Sequence, residues 1–194
     1  RLPAGAEFRL GAIRHVATVR SAMAGCDGCF HLAAVASVPR CEKRWADSHA
    51  VNIGGSVRVF EAARDLGNLP VVYASSAAVY GDRGAVALTE AMTPAPISAY
   101  GVDKYGCELH AGVGGRAFGL PTVGLRFFNV YGPGQNPDSP YSGAVSIFAD
   151  RLLRGRSVDI HGDGLQTRDY IFVADVVRAL MLAMAAASPA APVF

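Results

Sequence analysis

The stretch VVYASSAAVYG, Val71 to Gly81, decides how this chain folds. It opens on three β-favouring residues, passes through Ala74 to the paired hydroxyls of Ser75 and Ser76, and closes on Gly81. An apolar run this short suits a buried strand better than a helix. It ends in small polar side chains, and an open α/β sheet binds its ligands at the carboxyl ends of its strands.

Working outward, runs of similar texture lie at Cys29 to Ala33 and at Thr122 to Phe128, with helix-length patterns between, from about Val51 to Leu66 and from about Tyr100 to Phe118. Strand, helix, strand, helix, strand predicts parallel strands joined by right-handed crossovers. The expected fold is α/β, a doubly wound parallel sheet of Rossmann type, covered on both faces so that its strands are apolar throughout. After Asn129, which ends the third predicted strand, YGPGQNPDSPYSG (Tyr131 to Gly143) favours turns. A helix is then expected from Ala144 to Leu153, a strand from Ser157 to His161, a turn at Gly162 to Gly164, a strand from Asp169 to Val173, and a helix from about Ala174 to Ala187. This divides the chain into residues 1–135, the Rossmann-like portion; 136–173, part of a small substrate lobe; and 174–194, a helix packing back on the core with the end of the chain.

A chain of 194 residues can bury a core of its own. An apolar fraction of 51%, a charged fraction of 18% and a mean hydropathy of +0.25 describe a globular interior. The net charge of +2, with Lys and Arg scattered, argues against a nucleic-acid partner. Ala179 to Ala187, the most apolar segment, is far short of the ~20 residues of a membrane span, and no signal-peptide pattern opens the chain. A cytoplasmic location is expected, with the four cysteines reduced.

Two of those cysteines, Cys26 and Cys29 in GCDGCFHLAA (Gly25 to Ala34), have the CxxC spacing of zinc and redox sites. Zinc requires further ligands at recognisable spacing, but Cys41 and Cys107 stand apart and no HxxxH follows. A redox dithiol opens a helix, whereas these residues lead into a strand. Cysteine here reads as a small hydrophobe, and no metal is expected.

In YGVDK, Tyr100 and Lys104 stand four residues apart and so share one helix face. A nearby ammonium favours phenolate, which predicts a lowered pKa for Tyr100 and proton exchange near neutrality. The spacing alone is common on solvated helices. Its surroundings are HLAA at 31–34, Asn52 opening NIGGS, YASSAAVYG at 73–81, RFFNVYGP at 126–133 and GDGLQTRDYIFV at 162–173. In that order and spacing the chain resembles the extended short-chain dehydrogenase/reductase family, the NAD-dependent epimerases and dehydratases of nucleotide sugars.

The resemblance implies NAD as cofactor and a UDP-sugar as substrate. By matching position, it makes Tyr100 the acid/base, Lys104 its partner and a holder of the nicotinamide ribose, and Ser76 the hydroxyl that bonds the reacting sugar oxygen. Ala33 and Ala34 let the cofactor approach the backbone, Ser75 borders it, and Phe127 neighbours the nicotinamide. Asn129 and Arg168 fall at contacts to the substrate diphosphate, and His161 beside the uracil. Equally, Phe127 and Phe128 suit a strand core and Arg168-Asp169 a surface ion pair. Asn52 and Ser75 are read as closing backbone hydrogen bonds beneath the site. His15, His49 and His110 carry no assigned role.

Dehydratases of this family resemble one another in carrying acidic residues after the strand-end hydroxyl, where this chain has Ala77 and Ala78. Epimerisation needs only reversible hydride transfer assisted by one acid/base, so the resemblance favours it. The run from Asn136 to Gly155 is similar to UDP-hexose 4-epimerases, which implies UDP-glucose and UDP-galactose, or their N-acetyl forms, interconverted through a 4-keto sugar. The alternatives are a non-catalytic nucleotide-sugar-binding remnant, or a dehydratase or reductase.

The chain departs from the family in lacking its opening strand, its Gly-rich turn and the acidic residue after the second strand. Arg1 begins just past them, and the chain reads as an internal portion. Neither Asn52–Ser56 nor Gly112–Gly115 has the context to replace that turn. Ala12 stands at the adenine-binding aspartate's position. Gly112, Gly114 and Gly115 are expected to weaken their helix by ~1 kcal/mol each. The resemblance also implies a homodimer through paired helices.

Overall fold

The run at Val71 becomes the middle strand of three. Strands β1 (Cys29–His31), β2 (Val71–Ser76) and β3 (Thr122–Phe127) form one sheet in that order. β1 runs parallel to β2, with Cys29, Phe30 and His31 opposite Val71, Val72 and Tyr73. Those three β2 residues are buried almost completely, as a strand with neighbours on both edges and cover on both faces must be. The computed structural model describes residues 3–139, 143–160 and 162–194. The chain divides into two units, one running up to Arg126 and taking in Ala183–Phe194, the other Phe127–Leu182.

In the first unit, helices α1 (Val16–Met23), α2 (Val38–Lys43), α3 (Trp45–Asp65) and α4 (Ala99–Phe118) surround the sheet. α3 and α4 match the predicted helices, while α1 and α2 were too short for a periodic signal. α3 buries Asn52, Gly55, Ser56, Val59, Phe60 and Ala63, a stripe at helical spacing. Phe60 meets Tyr73 edge to face at 5.6 Å, and the core continues through Val59, Ala63, Cys107, Ala111 and Leu120. Ser98 starts α4 by accepting a hydrogen bond from Gly101 N at 3.1 Å. The last residues of the chain run along β3, where Thr122 N donates to Ser188 O at 3.1 Å and Phe194 N to Gly124 O at 2.9 Å.

The second unit contains β4 (Asn129–Tyr131), α5 (Ala144–Leu153), β5 (Tyr170–Phe172) and most of α6 (Val173–Ala186). β4 and β5 pair in parallel, Asn129 opposite Tyr170. Two expectations are corrected here. β3 stops at Phe127, and Asn129 opens β4 instead of ending the strand before it. The segment expected as a strand from Ser157 is irregular over 157–160, and His161 lies outside the described residues. Its alternation of polar and apolar residues resembles a strand, but Ile160 is 63% exposed and no ladder partner exists among the described residues.

Candidate active site

Two elements converge on the predicted acid/base. β2 ends at Ser76, whose hydroxyl accepts from Ala78 N at 3.2 Å and so caps the single 3-10 turn Ala77–Tyr80. α4 begins one residue before Tyr100. The close approach of turn and helix depends on Gly101, because a Cβ there would stand 2.6 Å from Ala78 O. The Ser76 hydroxyl stands close enough to the Tyr100 phenol to favour its ionised form. One turn along α4, Lys104 donates from Nζ to Ala74 O at 2.7 Å, and its ammonium lies 5.8 Å from the centre of the Tyr100 ring. The structure thus brings Ser76, Tyr100 and Lys104 together.

Their electrostatics differ from the expectation in one respect. Burial pushes the Tyr100 phenol above its ordinary range, and the neighbouring Ser76 hydroxyl opposes that without reversing it. The predicted lowering by Lys104 is therefore not the net result. Lys104 is itself almost fully buried, and desolvation pulls its ammonium down, against the influence of Cys107, Asp103 and Cys41.

The end of β1 is fixed from below. Asn52 Oδ1 accepts from Val35 N at 2.8 Å and its Nδ2 donates to Val35 O at 3.3 Å, closing backbone bonds just past Ala33 and Ala34. Ala33 is exposed and Ala34 half-buried, and neither presents more than a methyl group. His31 turns inward, its Nε2 2.8 Å from Ser56 Oγ, and burial pulls it down to about 4. Ser75 bonds a side chain, not the backbone: its hydroxyl donates to the Glu108 carboxylate.

Sequence reasoning missed several participants. Asp103 is buried between His49 Nδ1 at 2.9 Å and Asn52 Nδ2 at 3.3 Å, tying α3 to α4. Glu108 and Arg126 form a buried ion pair beneath Ser75. A signal for Glu108 existed, because 100, 104 and 108 share one helix face. Arg126 was visible as a charge inside an apolar strand.

In the second unit, Asn129 Nδ2 donates to Asp169 O at 3.0 Å. Arg168 is exposed, donates from Nη1 to Thr167 O at 2.7 Å, and pairs with no carboxylate among the described residues. It lines a cavity of about 560 Å³ with Ile147, Phe148, Arg151, Asp159 and Tyr170, in which Arg151 is already paired with Asp159 at 2.9 Å. Phe127, the last residue of β3, is half-buried. His161 lies outside the described residues.

Of the CxxC pair, Cys26 is exposed while Cys29 packs against the core. Burial pushes the Cys29 thiol up to about 11, which suppresses the thiolate that metal binding and redox exchange require. Among the described residues no three His, Cys, Asp or Glu side chains are grouped to hold a metal ion.

Residues 1–193 match the family described as the NAD dependent epimerase/dehydratase family. A UDP-glucose 4-epimerase of Mycolicibacterium smegmatis is 41% identical over 155 residues, which are 79% of this chain and 49% of that protein. The fold is similar to a UDP-glucose 4-epimerase from Thermotoga maritima solved with UDP-glucose, at a TM-score of 0.89 and 38% identity over 94% of this chain and 60% of that one. It is likewise similar to a Thermus thermophilus UDP-glucose 4-epimerase solved with NAD, at a TM-score of 0.88 and 32% identity, over 100% of this chain and 64% of that one. The chain spans about half the length of the curated relatives it matches.

Proposed function

This chain belongs to the NAD dependent epimerase/dehydratase family, and from that premise we propose that it is the cofactor-binding and catalytic portion of a UDP-hexose 4-epimerase. The reading is interconversion of UDP-glucose and UDP-galactose, or of their N-acetyl forms. The observation that carries it is the convergence of Ser76, Tyr100 and Lys104 at the end of β2, followed by alanines at 77 and 78 where dehydration would need a carboxylate.

The residues present fit the nicotinamide half of NAD. Ala33 and Ala34 leave the end of β1 free of bulky side chains, and Lys104 has ammonium protons beyond the one given to Ala74 O for ribose hydroxyls. When bound, NAD supplies a hydride acceptor that returns the hydride later. The protein's part is proton transfer and positioning. Tyr100 Oη takes the proton of the sugar C4 hydroxyl and gives it back, and the Lys104 ammonium favours the phenolate while it waits. Ser76 Oγ, held by Ala78 N and lying beside the Tyr100 phenol, bonds the same sugar oxygen. We assign Arg168, uncommitted to any carboxylate among the described residues, and Asn129 to the diphosphate. The segment 136–173 is then the substrate lobe.

We also propose a homodimer. Val102, Leu109 and Val113 are each about half exposed along one side of α4, a stripe that a second copy would cover. Among the described residues no helix is long and apolar enough to cross a membrane. The unpaired cysteines suit a reducing cytoplasm, where we place the protein.

The test is Tyr100→Phe in the full-length protein. Turnover of UDP-glucose to UDP-galactose should fall by roughly 10³-fold with NAD still bound. Substantial residual turnover would overturn the assignment, and net NADH formation or consumption by the parent enzyme would point to a reductase instead.

A further inference from the structure

Glu108 and Arg126 form the most enclosed ion pair among the described residues. Arg126 Nε donates to Oε1 at 2.9 Å and Nη2 to Oε2 at 2.8 Å, with the two side chains 7% and 5% exposed. Two parallel charge-assisted bonds give this pair a fixed geometry. Burying both charges is a poor route to stability, since apolar residues of similar volume fill such sites at least as well.

What distinguishes the pair is where else it reaches. Glu108 Oε1 accepts from Ser75 Oγ, one residue before Ser76. Arg126 Nη1 donates to Tyr80 Oη at 3.0 Å, and the guanidinium carbon lies 4.8 Å from the Tyr80 ring centre. Tyr80 closes the 3-10 turn that the Ser76 hydroxyl caps. The pair therefore holds side chains on both sides of Ser76, Ser75 before it and Tyr80 after it. Glu108 also stands one turn beyond Lys104 and two beyond Tyr100 on α4, so the helix that carries the acid/base also holds the strand end that carries the serine.

We propose that Glu108 and Arg126 are positioning residues for Ser76, locking the end of β2 in register with α4 so that the Ser76 hydroxyl stays beside the Tyr100 phenol. Neither touches the reacting atoms. The inference rests on the epimerase reading above for its kinetic consequence, but not for its geometry.

The test uses the full-length enzyme with Glu108→Gln and, as a milder change that removes only one hydroxyl, Tyr80→Phe, each with and without Ser76→Ala. Glu108→Gln should lower kcat roughly tenfold to a hundredfold, with KM for UDP-glucose and the affinity for NAD unchanged. In the Ser76→Ala background it should cost nothing further, because the group it positions is gone. Tyr80→Phe should show the same pattern with a smaller loss, and it carries the test if Glu108→Gln does not fold. A second readout needs no turnover: the ionisation of Tyr100, followed by NMR of tyrosine labelled at Cζ and assigned with Tyr100→Phe. Lys104, Cys41 and Cys107 also face this phenol and are unchanged in these variants. Glu108→Gln and Ser76→Ala should each move the Tyr100 titration upward, because the first displaces and the second removes the hydroxyl whose nearness favours the phenolate. The proposal is overturned if the variants lower the melting temperature yet leave kcat and the Tyr100 titration as in the parent. Equal kcat losses with and without Ser76 overturn it too. An inactive parent enzyme would sink the epimerase reading alone, while the titration would still decide the positioning role.

Discussion

Ser76, Tyr100 and Lys104 stand on elements with closed inner faces: β2 has Val71, Val72 and Tyr73 buried beneath its end, and α4 buries Gly101, Asp103, Lys104, Cys107 and Glu108. Asn129 and Arg168 belong to the other unit, where α5 buries no residue and Tyr170 and Phe172 of β5 are 40% and 39% exposed. The two regions suit two kinds of work. Proton transfer tolerates little displacement of the donor and acceptor, and the groups proposed to carry it are held from several sides. Gripping a charged, jointed substrate needs a cation within reach, and Arg168, proposed for that task, stands on a surface with room to adjust.

Acid is the strongest way to break the comparison. His31 is buried against Ser56, and burial, helped by the charge of Lys104, pulls its pKa from an ordinary 6.5 down to about 4. Between those values the unfolded chain binds the proton and the folded one does not. Its contribution is therefore complete above 6.5 and is lost as the pH falls toward 4, about 3 kcal/mol in all. Chemical denaturation at neutral pH and near pH ~4.5 should show the loss, and His31→Gln should remove this share of it. Amide exchange in α5 should barely respond; if it collapses together with α3, the two units do not differ in the way argued.

Next in size is Gly115→Ala. A Cβ at Gly115 would stand 1.9 Å from Pro189 O, a backbone atom that cannot swing aside. The expected cost is roughly 2 kcal/mol, read as a lowered denaturation midpoint at an unchanged m-value. This also adds to the reading of the glycines near the end of α4. The helix runs to Phe118, and at 115 the missing side chain is what lets the returning C-terminal segment lie against it. A neutral Gly115→Ala would mean that this packing is loose.

Arg168→Gln addresses the open region. It should raise KM for the UDP-sugar about tenfold, equivalent to about 1.4 kcal/mol, and leave kcat within a small factor. A fall in kcat with unchanged KM would place Arg168 with the rigid group and erase the division.

The sequence was legible where a short motif coincides with an element that the core fixes. VVYASS is at once a buried strand and the proposed strand-end site, and Tyr100 and Lys104 lie on a helix whose length was visible. Legibility failed where a residue's role depends on a partner far along the chain. Nothing local to Glu108 announces Arg126, eighteen positions on, and nothing near Asp103 announces His49. In the second unit the patterns were present but their pairings were not: Asn129 continued an apparent strand until β5 claimed it, and the alternation after Ser157 found no neighbour among the described residues. Periodicity reports which face wants burial, not whether anything comes to bury it.

The smallest expected effect tests the open region from within. Gly143 is the N-cap of α5, with an extended backbone at φ −69° and ψ 161°, no side chain to cap the helix, and open space where a Cβ would go. Gly143→Ser places a hydroxyl within reach of the unpaired amides of the first turn and reduces the freedom of the unfolded chain. Together these should stabilise α5 by roughly half a kcal/mol. If the second unit opens separately from the first, as its sparse burial implies, the gain should appear as slower amide exchange confined to α5, with the exchange of α3 and α4 unmoved. An equal slowing in α3 and α4 would mean that the two units open together. In that case the freedom assigned to Arg168 would have to come from its side chain alone.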